Sequence, residues 1–254
     1  MAMQFGSATP DTHQIGFGAS MPGERNRLTA AIRLIMVIPQ YIALFFIGIA
    51  AYIVVIIGWF AALITGQLPP FAREFLTGVL RWSYRVEAYF YFLTDEYPPF
   101  SLAAEEAYPV TLSFPEPVEL NRLSVLFRLI LAIPAAVVAG VAQAGCGVLS
   151  VASWFMILFT GAMPAGIYEA TRAVLRFEAR FAGWFIMLTP DYPWGLWGDG
   201  GVSYGGGAPA QPAPALAERP DPRAPLVLSV VGARVMTVLV VLGALAVLYR
   251  LVIH

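Results

Sequence analysis

Lysine is missing from this 254-residue chain: all 15 of its basic residues are arginines. The absence fits a bias in coding as well as a use for arginine's planar fork, which grips phosphate or carboxylate. Histidine stands only at His13 and His254, close to the two ends. The body of the chain therefore lacks what paired-histidine haem ligation, the common His/Cys zinc sites and a Ser-His-Asp triad require. With Cys146 as the only cysteine, no disulfide can close within the chain. Charge is scarce as well: 12% of residues carry it, against about a quarter in soluble domains. Acids and bases nearly cancel, and a net charge of −1 leaves no field that would gather nucleic acid.

What is abundant is apolar. Hydrophobic residues make up 59% of the chain, and the mean hydropathy is +0.71. A soluble core cannot hide that much apolar surface, so composition points to a membrane protein. Residues 1–24 are the exception: they are polar, rich in Gly, Pro and Ser, and expected to form a disordered tail. They hold no apolar run of the secretory type. No cleavable signal peptide is expected, and the first apolar span would serve as the insertion signal.

The phrase "RNRLTAAIRLIMVIP", ending at Pro39, returns as "LNRLSVLFRLILAIP", ending at Pro134. A shift of 95 positions aligns Asn26 to Pro98 with Asn121 to Pro193 without a gap. The identities include Arg33/Arg128, Trp59/Trp154, Gly66/Gly161, Glu74/Glu169, Arg81/Arg176, Arg85/Arg180 and Tyr97/Tyr192. A duplicated membrane unit follows. The phrases "RLIMVIP", "GWFAALITGQLP" and "VLRWSYRVEAYFYFLTDEYPPFSL", with their second versions "RLILAIP", "SWFMILFTGAMP" and "VLRFEARFAGWFIMLTPDYP", resemble the bacterial membrane family known as domain of unknown function 4389. The resemblance covers about residues 25–195 and departs most at "TPDYPWG", where the first copy has "TDEYPPF". It implies a bacterial membrane protein and carries no activity with it.

Each copy opens with a short amphipathic stretch, Leu28 to Ile38 in the first. Eleven helical residues span about 16 Å, too little for a hydrocarbon core of about 30 Å, and Pro39 is expected to kink or end the helix. This stretch is read as lying in the interface. Tyr41 to Ile64 and Ala135 to Phe159 carry no charge and are long enough to cross. The next helix, about Phe71 to Leu93, has a narrow polar edge of Glu74, Arg81 and Arg85, repeated as Glu169, Arg176 and Arg180. If each copy is a hairpin of two crossings, Arg25, Arg27, Arg33, Arg122, Arg128, Arg219 and Arg223 share one side. The positive-inside rule then favours parallel repeats and a cytoplasmic N-terminus in the bacterial plasma membrane. A Gly/Pro-rich linker precedes a last apolar run, expected to cross once as a dispensable tether or docking helix and to bring the crossings to five.

The expected fold is thus all-α and integral to the membrane. It has a tail (1–24), repeat 1 (25–100), a connecting loop (101–119), repeat 2 (120–195), a linker (196–225) and a C-terminal transmembrane helix (226–254). The candidate site is the repeated polar set Arg33, Glu74, Arg81, Arg85, Arg128, Glu169, Arg176 and Arg180. Ionisable residues at membrane depth bind something, and the partners open to these are one another, lipid phosphates or a substrate in transit. No catalytic set, metal or cofactor is expected, and no nucleic acid. The expected partners are membrane lipids and other membrane subunits. The expected role is a non-catalytic accessory or scaffold protein, with a small repeat-built transporter or channel as the alternative.

Overall fold

Asn26 opens the first helix. Its side-chain oxygen accepts hydrogen bonds from the Leu28 and Thr29 amides at 3.0 and 3.2 Å, satisfying two donors that a helix start leaves free. In the computed structural model, which describes residues 14–21, 25–199 and 221–253, helix α1 then runs unbroken over Arg27–Thr65. The helix does not stop at Pro39. A proline forfeits one backbone bond, but in an apolar setting the rest of the ladder has no water to exchange with, so the helix carries through. The interfacial stretch is therefore the first part of α1. Gly66, at φ 77°, closes the helix in the left-handed conformation that glycine adopts without penalty.

Helix α2 follows over Pro70–Phe90, with proline at its first position. In the second copy Asn121 caps a short α3, Arg122–Leu126. The chain breaks at Phe127, and α4 continues over Arg128–Thr160 past Pro134 to Gly161, at φ 75°. Helix α5 spans Ala165–Phe185 and α6 spans Val230–Ile253. Two short strands, β1 (Gly16–Ala19) and β2 (Val110–Ser113), pair antiparallel. Part of the expected tail is thus structured: Ile15, Phe17 and Ala19, which alternate with glycines along the strand, are buried in the core, and so are Gly16 and Gly18 between them. The remaining tail residues lie outside those described, as do linker residues 200–220.

The fold class stands: a helical protein of two tandem copies, with α1, α4 and α6 long and apolar enough to cross a membrane. Two details differ. The helices α2 and α5 are not among those candidates, so among the described residues three candidate spans stand where five crossings were expected. The copies are also antiparallel. The Trp59 indole donates to Val125 O at 2.9 Å, and its counterpart Trp154 donates to Ala30 O at 3.0 Å. Leu120 N donates to Gly66 O at 2.7 Å, and its counterpart Arg25 N to Gly161 O at 2.9 Å. Each copy's long helix starts where the other's ends, as a pseudo-two-fold axis between them requires. A shared sequence fixes which residues are equivalent but not the operation relating them.

Helix α6 packs antiparallel on α4, so closely that a Cβ on Gly145 would fall 2.1 Å from Leu239 O. Met236 and Leu239 are buried. The expected dispensable tether is part of the core.

Candidate functional site

Arg33 enters the core from α1 and is fully buried. Its guanidinium donates to Tyr89 O (2.5 Å), Thr94 O (3.0 Å) and Asp95 Oδ1 (2.5 Å), and it stacks on the Tyr89 and Phe92 rings. Asp95 also accepts from Arg25 Nη1 at 3.4 Å and Asn26 N at 3.1 Å. One carboxylate therefore clasps the loop after α2 to the start of α1. In the second copy Arg128 is equally buried over Trp184, but Pro190 stands where Asp95 would. Its one hydrogen bond within the described residues runs to Thr189 O at 3.5 Å, while Nε and Nη1 have no partner.

The stripe on α5 closes on Asp199. Arg176 Nη2 meets Asp199 Oδ2 at 2.5 Å, and Arg180 Nη1 meets Oδ1 at 2.6 Å. Arg176 also donates to Ala224 O (3.0 Å), and Arg180 to Ile15 O (3.3 Å) and Trp194 O (3.4 Å). Burial works against the Asp199 carboxylate. The hydrogen bonds from Arg180 and Leu226 N and the nearby arginine charges outweigh it, so its pKa lies below the ordinary value. The same stripe on α2 finds Ala104 where Asp199 stands. Arg85 donates instead to the Ser101, Ala103 and Arg81 carbonyls, and Arg81 lies 5.0 Å over the Phe114 ring. Both arginines line an open cavity of about 340 Å³ together with Glu105, Glu106 and Asp221.

Neither acid of the stripe pairs with Arg81. Glu74 is exposed near the start of α2. Glu169 Oε2 accepts from Ser229 N at 3.0 Å and Ser229 Oγ at 2.6 Å, pinning the start of α6 to α5. The eight candidates thus do not make one site: most sit in separate clasps whose donors reach the chain's own loops, while Glu74 sits in none and Arg81 covers a ring. The loop carboxylates Asp95 and Asp199 hold these clasps, and Asp199 gave no signal because it sits in a glycine-rich linker.

A second polar pair escaped the sequence because its members are not equivalent in the two copies. Glu87 on α2 faces Glu178 on α5, and Glu87 Oε2 and Glu178 Oε1 are buried with no hydrogen-bond partner. Burial raises both carboxyl pKa values above the ordinary range, and the mutual charge adds to the shift of Glu178. Tyr41, Tyr84, Tyr91 and Cys146 surround the pair. Among the described residues no group of three or more His, Cys, Asp or Glu is placed to hold a metal.

The model of a family described as a domain of unknown function (DUF4389) matches the chain twice, over residues 27–101 and 122–196. No curated protein and no solved structure matches it.

Proposed function

Because the chain belongs to the DUF4389 family and carries its domain twice, a membership that brings no activity with it, we propose that it is a non-catalytic membrane scaffold or accessory subunit, seated in a bacterial plasma membrane among lipids and other subunits. One observation carries this reading: most of the arginine stripe is turned inward as clasps on the chain's own loops. Polar groups spent on holding the fold are not available for turnover. What faces outward is apolar, from Leu28 to Ile64 on α1 and from Leu129 to Phe159 on α4. Such a surface suits lipid and the apolar flanks of other membrane proteins. Native mass spectrometry of the full chain released from its own membrane tests the proposal. A retained protein subunit at fixed stoichiometry is the expected result, and a bare chain with vesicle transport activity would sink it.

The alternative, a small transporter or channel, draws on the Glu87–Glu178 pair. Buried acids between two repeats are where proton relays are built. Proton flux into vesicles holding the protein, abolished by Glu87→Gln, is what that reading expects.

A further inference from the structure

We propose that the protein sits in a single leaflet with its helices along the membrane plane, α1, α4 and α6 facing the acyl chains and the strands and loops facing water.

The polar coat fixes the orientation. Asp95 meets Arg33 near the start of α1, and Leu120 N meets Gly66 O at its end. These two points lie about 48 Å apart at 1.5 Å per helical residue. The chain between them runs back along α2. Arg85 holds the Ser101 and Ala103 carbonyls, Arg81 covers Phe114, and Arg73 holds Pro115 O. Apart from β2 this segment is irregular, and it exposes Glu106, Glu116 and Glu119. Were α1 to stand across the bilayer, exposed Glu106, beside Arg81 and Arg85, and the irregular backbone around it would lie at hydrocarbon depth. Irregular backbone is tolerated there only when enclosed by protein or facing a water-filled cavity. In the second copy β1 lies along α5 from Tyr168 to Arg180, and Asp199 meets Arg176 and Arg180.

The pseudo-symmetry agrees. The axis passes between α1 and α4, then between α2 and α5 where Glu87 faces Glu178, and emerges through the coat. One end of it is apolar and the other polar. Such an axis must point from lipid to water and so stand normal to the membrane. Crossing helices would place it in the membrane plane and turn the coat towards lipid.

Length gives a third, independent reason. Helix α1 has 39 residues, about 58 Å against a hydrocarbon core of about 30 Å. It exposes large apolar side chains throughout, with Leu28, Phe46 and Ile64 at 71%, 65% and 72%. Laid flat, a layer one helix thick needs about 10 Å, which half of that core supplies.

This seat shares the premise of the scaffold reading that the apolar layer meets lipid, but it needs no partner subunit. Single cysteines at Glu96 and Gln67, beside the two ends of α1, are introduced into the full chain carrying Cys146→Ala. They are treated with an impermeant maleimide in right-side-out and inverted vesicles. Reaction of both from the same side is expected; reaction from opposite sides overturns the proposal and returns weight to transport. Spin labels at Ile35, Phe46 and Ile57, which share one face of α1, give a second readout that does not depend on labelling. Equal relaxation by lipid-dissolved oxygen at all three supports the seat, and a gradient in depth along them overturns it. Either failure leaves the subunit-retention result free to stand or fall separately.

Discussion

The two copies keep the same arginines and differ in what those arginines hold. In the first, Arg33 has Asp95 while Arg81 and Arg85 make do with carbonyls and a ring. In the second, Arg176 and Arg180 share Asp199 while Arg128 faces Pro190. Each copy thus has one arginine clasp closed by a carboxylate and one without. A buried cation on a helix is harder to lose than its loop partner, because any of several nearby carbonyls can replace a carboxylate in part, while nothing replaces the donor fork.

Removing Asp199 should have the largest effect. Asp199→Ala takes the carboxylate from two guanidiniums whose side chains are 5% and 7% exposed, and leaves them only the Ala224, Ile15 and Trp194 carbonyls. A loss on the order of 3–5 kcal/mol in detergent unfolding is expected, as for other broken buried pairs. Asp95→Ala should cost less, about 1.5–3 kcal/mol, because only one of its two arginine pairs is short: Arg33 at 2.5 Å keeps the Tyr89 and Thr94 carbonyls, and Arg25 lies at 3.4 Å, whereas both Asp199 pairs are within 2.6 Å. Equal losses would mean that the two closed clasps do the same job. The Glu87–Glu178 pair gives a pH signature between the copies. Folded pKa values raised by burial mean stability that is full below the unfolded carboxyl range and lost as pH climbs through the folded values. That loss reaches about 1.4 kcal/mol per pH unit for each carboxylate, and Glu178→Gln should flatten it in a pH series of melting temperatures. The smallest expected effect is a gain: Pro190→Asp copies the first clasp into the second and should add about 1 kcal/mol by pairing Arg128. A loss there would show that the Pro190 backbone matters more than the missing charge.

The duplication and the apolar runs were legible, because identities such as Trp59/Trp154 and Gly66/Gly161 are local signals that a shift of 95 aligns; that Asn26 and Asn121 cap helices was not read from them. The stripe was legible as residues but not as contacts. Its partners come from loops such as Asp199, whose docking is decided by burial far away in the sequence. Pro39 misled because the rule that proline ends a helix assumes water ready to take the freed groups. The antiparallel arrangement was out of reach: arginine counts weigh sides of a membrane, whereas Trp59 finding Val125 O is a matter of packing. Ile15, Phe17 and Ala19 did carry a strand's alternation, but the polar, glycine-rich setting masked it.

The hydrogen bonds that tie each copy's entry to the other's exit also set a clock. The Trp59 indole and the Gly66 carbonyl are bonded to residues 125 and 120, and the Ala30 carbonyl and the Arg25 amide to residues 154 and 161. At about 5–20 residues per second of synthesis, the 95-residue offset keeps the first copy waiting for roughly 5–20 seconds. During that interval its apolar helix has left the ribosome with half of its seat unmade. The membrane itself, or a chaperone at the exit site, must hold it until its twin arrives.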